Sequence, residues 1–132
     1  MELLEIMKSE KEALNYLKEL LNEQYQYIMK NDVFKLDEIV DRIQQSNKKI
    51  AECEVNRRRV LAGKPLKDVI ETDDDLMKEY IGIKDVIREI TLQKDTNELL
   101  IKQQLILTNK LLAIMNPNRD QKTYNSYGYL KK

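Results

Sequence analysis

Three clusters of side chains carry residue types that could do chemistry. Asp73-Asp74-Asp75 gathers three carboxylates, the hard oxygen donors that a divalent cation takes. Arg57-Arg58-Arg59 is the one dense basic run, of the kind that contacts phosphates. Cys53 is the single thiol, and so the single soft ligand or strong nucleophile. Each also has a plainer reading. A calcium loop of the EF-hand type spaces its ligands around a central glycine and ends on a glutamate, and the aspartate run does neither. Following Thr72, it stands where a helix start wants caps and negative charge. The arginines lie close to Glu52 and Glu54, in a chain whose 23 basic and 23 acidic side chains cancel. A nucleic-acid binder normally carries a basic surplus, whereas three arginines suit the negative end of a helix dipole. Cys53 has no histidine anywhere in the chain to activate it, which leaves a small apolar residue at a buried position.

Larger constellations are excluded by what the chain lacks. One cysteine and no histidine rule out an internal disulfide and a Cys/His zinc site. Gly63, Gly82 and Gly128 are too far apart for a dinucleotide-binding or Walker loop. The reading is therefore of a protein that is not an enzyme, needs no cofactor or metal, and binds no nucleic acid. Met1-Glu2-Leu3-Leu4-Glu5 has neither the basic region nor the apolar core of a signal peptide. No apolar run approaches the roughly 18 residues of a membrane span. A free thiol without an export signal suits a reducing cytoplasm.

The elements that hold these residues follow from spacing. With 132 residues, 35% of them charged, 3 glycines and 2 prolines, the composition is that of long amphipathic helices. In the first segment Leu3, Met7, Leu14, Leu17, Leu21 and Ile28 recur in steps of three and four, with Glu10 and Gln24 in the gaps. Leu4, Ala13, Leu20 and Tyr27 widen the seam to touch two neighbours. Asn31-Asp32 breaks the helix, and either residue can cap the next one. The second helix repeats the spacing with Leu36, Ile39, Ile43, Ile50, Cys53 and Val60, interrupted by Ser46 and Arg57. Gly63 with its left-handed freedom, then Pro65, stops it. A linker at 64–72 has room for one helical turn at Leu66, Val69 and Ile70. The third helix carries Leu76, Tyr80, Ile83, Ile87, Ile90, Lys94, Asn97, Ile101, Leu111 and Met115 along its seam, and Pro117 ends it.

The expected architecture is all-α: an elongated antiparallel hairpin plus a longer third helix, in a three-helix, coiled-coil-like bundle. Helices are placed at about 2–30, 33–62 and 74–116 of a body at 1–116. Residues 117–132 hold four basic against one acidic side chain, a net +3, and three of the seven tyrosines, Tyr124, Tyr127 and Tyr129. That polar stretch predicts a flexible arm. Between Leu99 and Met115, apolar residues cover well over half of the helix circumference, more than two neighbours require. Two readings stay open: deep burial between the other helices, or a docking face for a partner helix. A third helix beside the hairpin would outrun it by about 18 Å, and the overhang would be Leu105 to Met115. A kink near Asn97 would remove that overhang.

The order of segments resembles the FlgN family, the flagellar export chaperones for hook-associated proteins. The resemblance rests on Leu14, Leu17, Leu21 and Glu23 in the first helix and on the Asn31-Asp32 turn. It continues with Leu36 and Ile39, with Lys48-Lys49-Ile50 through Glu54 to Arg57-Arg58, and with the Leu/Ile-rich third helix. It ends on Thr123-Tyr124 and Gly128. It implies a cytoplasmic chaperone of type III flagellar export. Such a protein binds the C-terminal helical regions of the hook-filament junction proteins FlgK and FlgL, prevents their premature assembly and delivers them to the export gate protein FlhA. Client contact is then implied for the end of the third helix and the tail, with the family's tyrosine falling on Tyr124. The candidate client-binding residues are Leu105, Leu107, Leu111, Leu112, Met115, Tyr124, Tyr127 and Tyr129. The alternative is a structural coiled-coil adaptor that self-associates through the third helix. It wants an unbroken heptad, and Ser46, Lys94 and Asn97 interrupt the repeat.

Added zinc, calcium or nucleotide should leave the melting temperature unchanged, because a ligand that binds only the native state raises it. Thermal melts with and without each addition check this.

Overall fold

The computed structural model describes residues 2–116. Four helices make it up: α1 (Glu2–Met29), α2 (Val33–Leu61), α3 (Leu66–Ile70) and α4 (Asp74–Met115). No strand occurs among the described residues, so the chain is all-α, as its spacing predicts. The arm expected at 117–132 lies outside the described residues. The described residues divide into two compact units, 2–93 and 94–116.

Local chemistry sets each helix end in the first unit. Asn31 takes a left-handed φ of 54°, which asparagine tolerates better than most residues. The Asp32 amide then donates to the Tyr27 carbonyl and the Asn31 amide to that of Ile28, at 3.0 and 3.1 Å. These two bonds are a Schellman closure of α1. Asp32 also starts α2, its side chain accepting from the Lys35 amide at 3.2 Å. One residue thus closes one helix and caps the next, which makes the hairpin turn short and stiff. At the far end of α2 the left-handed turn begins one residue before the glycine that the sequence nominates. Ala62 sits at φ 51° and its amide reaches the Arg58 and Arg59 carbonyls, with Gly63 following at φ 85°. Asp73 caps α4, its carboxylate accepting from the Asp75 and Leu76 amides. The three aspartates thus open a helix.

The core of this unit joins all four helices. Leu3, Met7, Leu14, Leu17 and Leu21 of α1 pack with Ile70 of α3 and with Leu76, Ile83 and Ile90 of α4. From α2, Ile43, Ile50, Val60 and Leu61 pack against this cluster, while Ile39, Ser46 and Cys53 are buried at steps of seven. The linker turn matters because Ile70, Leu66 and Val69 close the end of the core. One seam residue differs from expectation. Ile87 is exposed and Val86 packs on the core instead. Either residue keeps the three-and-four rhythm between Ile83 and Ile90, and spacing alone does not choose between them.

Ion pairs give the helix directions. Glu10 meets Arg57 at 2.7 Å and Glu23 meets Arg42 at 3.0 Å, so α2 runs antiparallel to α1. Lys11 meets Glu79 at 2.7 Å and Lys18 meets Glu89 at 2.6 Å, so α4 runs parallel to α1. The two exposed pairs, Glu23 with Arg42 and Lys18 with Glu89, contribute little stability in water. Glu10 and Arg57 differ, since each fills a polar gap in its own helix seam and each meets the other there. Only 4% of Glu10 is exposed. Burial pushes its carboxyl above the ordinary value of 4.5. The Arg57 charge opposes that shift, and Glu54 adds to it. Burial therefore outweighs the salt bridge.

The sign of the pH effect follows. A carboxyl raised in the folded state keeps its proton to higher pH than in the unfolded chain. Ionising it costs stability, and that cost appears as pH rises through 4.5 toward the raised value. Glu10→Gln should match the wild-type melting temperature at low pH and exceed it progressively above about pH 4.5. Arg57→Ala, which strands the buried carboxylate, should instead lose about 3–5 kcal/mol at neutral pH. Melts of the three proteins across pH 3–8 check both expectations; a falling gap between Glu10→Gln and wild type as pH rises would refute the first.

Candidate functional site

Residues 94–115 belong to α4, which stays helical through Asp95-Thr96-Asn97. The stretch is rich in Leu, Lys and Gln, which are strong helix formers, and has no glycine or proline. An i, i+4 pair, Lys94 with Glu98 at 3.5 Å, supports the helix surface. Asn97, a seam position, is buried with 1% of its surface exposed.

Beyond Asn97 the helix presents apolar residues on more than one face. Ile101, Leu105 and Leu112 fall on one stripe and are half-buried. Leu107, Leu111 and Ile114 fall on another, about a third of a turn away at 3.6 residues per turn. They are exposed at 58%, 52% and 76%, and Met115 beside them at 80%. Half-buried Leu100 continues this second stripe, so Leu100, Leu107 and Ile114 stand at steps of seven with Leu111 between. Leu99 and Ile106 lie exposed on a third line, also seven apart.

The eight candidate residues therefore separate. Leu107, Leu111 and Met115 come together on the exposed stripe. Leu105 and Leu112 sit on the half-buried one. Tyr124, Tyr127 and Tyr129 lie outside the described residues. Ile114 belongs with the exposed group and is the residue that sequence reasoning left off the list. Its signal was available, since it follows Leu107 by seven. The stripe offers a row of aliphatic knobs ending on a methionine, whose flexible thioether adapts to differently shaped surfaces. Contiguous exposed aliphatics of this kind mark contact surfaces.

The remaining candidates form no site of their own. Cys53 is buried, and burial first, then the neighbouring Glu10 and Glu52 charges, raise its thiol above the ordinary range despite Lys49. A thiol held in its neutral form is a poor nucleophile. Arg58 pairs with Glu54 at 2.6 Å within the last turns of α2. Among the described residues no group of three or more His, Cys, Asp or Glu is placed to hold a metal ion, and no helix is long and apolar enough to cross a membrane.

A family model described as FlgN protein matches residues 1–132, the whole chain. No curated protein and no solved structure matches.

Substitutions distinguish the two stripes. Leu107→Asp with Leu111→Asp should change stability by only about 1 kcal/mol, chiefly through helix propensity. Leu105→Asp with Leu112→Asp should cost more, because charge enters partly buried positions. Circular dichroism melts of the two double variants check the order, and the reverse order would show that the faces have been misassigned.

Proposed function

The chain belongs to the FlgN family of flagellar export chaperones, and on that premise we propose that its clients are the hook-associated proteins FlgK and FlgL. It acts in the cytoplasm, shields their terminal helical regions from premature assembly and hands them to the export gate protein FlhA. The observation that carries this reading is the exposed row Leu107, Leu111, Ile114 and Met115, on a helix of an export-chaperone family member.

The chemistry is that of a helix lying in an apolar seam. An amphipathic client helix sets its own aliphatic stripe against the four residues and excludes water from both. Each aliphatic anchor that becomes well buried contributes roughly 1.5–3 kcal/mol. Translational and side-chain ordering offset much of this. The balance favours a complex tight enough to shield the client and loose enough to release it without nucleotide hydrolysis. In this reading Leu105 and Leu112 support the helix from its other side. Tyr124, Tyr127 and Tyr129 flank the contact, each with an apolar ring face and a hydroxyl, and Tyr124 is the leading anchor.

Three proteins test the proposal in pull-downs with purified FlgK, FlgL and FlhA. Leu107→Asp with Leu111→Asp should weaken client binding at least tenfold while the helical signal stays intact. Deletion of 124–132 should leave the melting temperature nearly unchanged and reduce binding to a client or to FlhA. Tyr124→Ala should reproduce most of that second loss. Full client binding by the double variant would sink the assigned surface. Assembly of the wild-type chain into oligomers that the double variant abolishes, with no client bound, would favour the self-associating adaptor.

A further inference from the structure

A second surface lies within residues 1–93 and owes nothing to the apolar stripe of α4. Between α1 and α2 there is a hollow of about 380 Å³ lined by Ser9, Ala13, Tyr16, Arg42, Ser46 and Lys49, with Glu12 at its edge. Ser9 and Tyr16 are about half a turn round α1 from Lys11 and Lys18, which pair with α4. The hollow therefore opens on the side of the hairpin away from residues 74–93 of α4. A smaller one of about 80 Å³ beside Tyr27, Lys35 and Arg42 continues the groove toward the hairpin turn.

Two features of this groove are unexplained by the fold. The first is Ser46, which is 5% exposed and whose hydroxyl is buried with no hydrogen-bond partner. An orphaned buried hydroxyl costs stability, and an apolar residue here would avoid the cost and fill the hollow. The second is the charge pattern of the walls. Along α1, Glu5, Glu12 and Glu19 stand at steps of seven; along α2, Lys35, Arg42 and Lys49 do the same. Each step is about 10.5 Å of helix. Arg42 is engaged by Glu23 at 3.0 Å, and the Lys35 ammonium lies 5.5 Å from the centre of the Tyr27 ring. Glu5, Glu12, Glu19 and Lys49 enter none of the ion pairs found among the described residues. Evenly spaced opposite charges flanking a groove are how a coiled coil chooses the helix beside it.

We propose that this groove seats a further helix, contributed by a different protein, with an acidic edge along α2, a basic edge along α1 and a small side chain packed over Ser46. Small floor residues, Ser9, Ala13 and Ser46, let the incoming backbone come close. The acidic edge meets Lys49 and the remaining in-plane N–H groups of the Arg42 guanidinium, and the basic edge meets Glu12 and Glu19. The result is four-helix packing on the side of the hairpin opposite residues 74–93. A second copy of this chain is a poorer occupant. A two-fold contact would set groove against groove and leave both hollows open.

The probe is a fluorescent 21-residue helical peptide with Ala, Leu and one central Ser on its inner face, Glu every seventh residue on one edge and Lys on the other. A control peptide carries Gln on both edges. Titration of the full chain should show the charged peptide binding at least tenfold more tightly than the control. Lys49→Glu should weaken the charged peptide about tenfold and leave the control unchanged. Ser46→Leu should raise the melting temperature and abolish binding of both. Equal binding of the two peptides, no binding of either, or binding indifferent to both substitutions overturns the proposal. So does a wild-type dimer that Lys49→Glu dissolves, which would make the occupant a second copy.

Discussion

The register of the α1–α2 hairpin depends on one buried ion pair. Both helices repeat their apolar residues every seven positions, so aliphatic contact alone would tolerate a slip of seven. Glu10 and Arg57 do not tolerate it. In the observed register each fills the other's polar gap at 2.7 Å. A slip of seven would set Glu10 near Ile50, or Arg57 near Leu3 or Leu17, burying a charge without a partner. Breaking a buried pair in that way costs about 3–5 kcal/mol, a large fraction of a small domain's stability. The pair itself is a poor source of stability, as the raised Glu10 carboxyl shows. It acts chiefly by making the alternatives worse. The short turn at Asn31-Asp32 enforces the same register from the other end, and Lys11 and Lys18 carry it on to α4 through Glu79 and Glu89.

This pairing also explains what the sequence could and could not disclose. Helix type, polarity of the faces and the ends of the elements were legible because they are local. Leu3, Met7, Leu14, Leu17, Leu21 and Ile28 are the buried line that their spacing predicts, and Asp32 caps α2 as its side chain allows. Glu10, Ser46 and Arg57 read singly as defects in a seam, since a polar residue has meaning only beside the one across from it. Pairing information is non-local, and spacing within one helix does not contain it. The same limit governs Ile87 and Val86, which fit the rhythm equally well while one faces water. It governs the distal part of α4 as well. There the excess of apolar residues was plain, but Leu105 and Leu112 could not be separated from Leu107 and Leu111 until burial ordered them by face.

The chain carries two kinds of surface, and they recognise in opposite ways. The stripe of Leu107, Leu111, Ile114 and Met115 is aliphatic and nearly featureless. Burial of such a stripe is strong per unit area and undemanding about detail. That quality suits a surface proposed to accept more than one client helix. The α1–α2 groove is open, with acidic side chains along one wall and basic ones along the other. Charges there favour a helix of complementary edges and penalise a mismatched one, so a groove of that kind discriminates.

A physical tension underlies the proposed chaperone role. A helix that is apolar around much of its girth gains from any contact that removes it from water, including contact with itself. The chain limits this by composition. Lys102, Gln103 and Lys110 interrupt the exposed apolar faces, and the stripe stops at Met115 just before Pro117. A short stripe flanked in this way supplies only a few anchors, each of about 1.5–3 kcal/mol when fully buried. Association of two copies must meet the same loss of rotational and translational freedom as association with a client. A client helix with a longer apolar face of its own would gain more from the encounter than a second short stripe does. Under the proposed role, the shortness of the stripe favours a better-matched helix over a second copy of the chain.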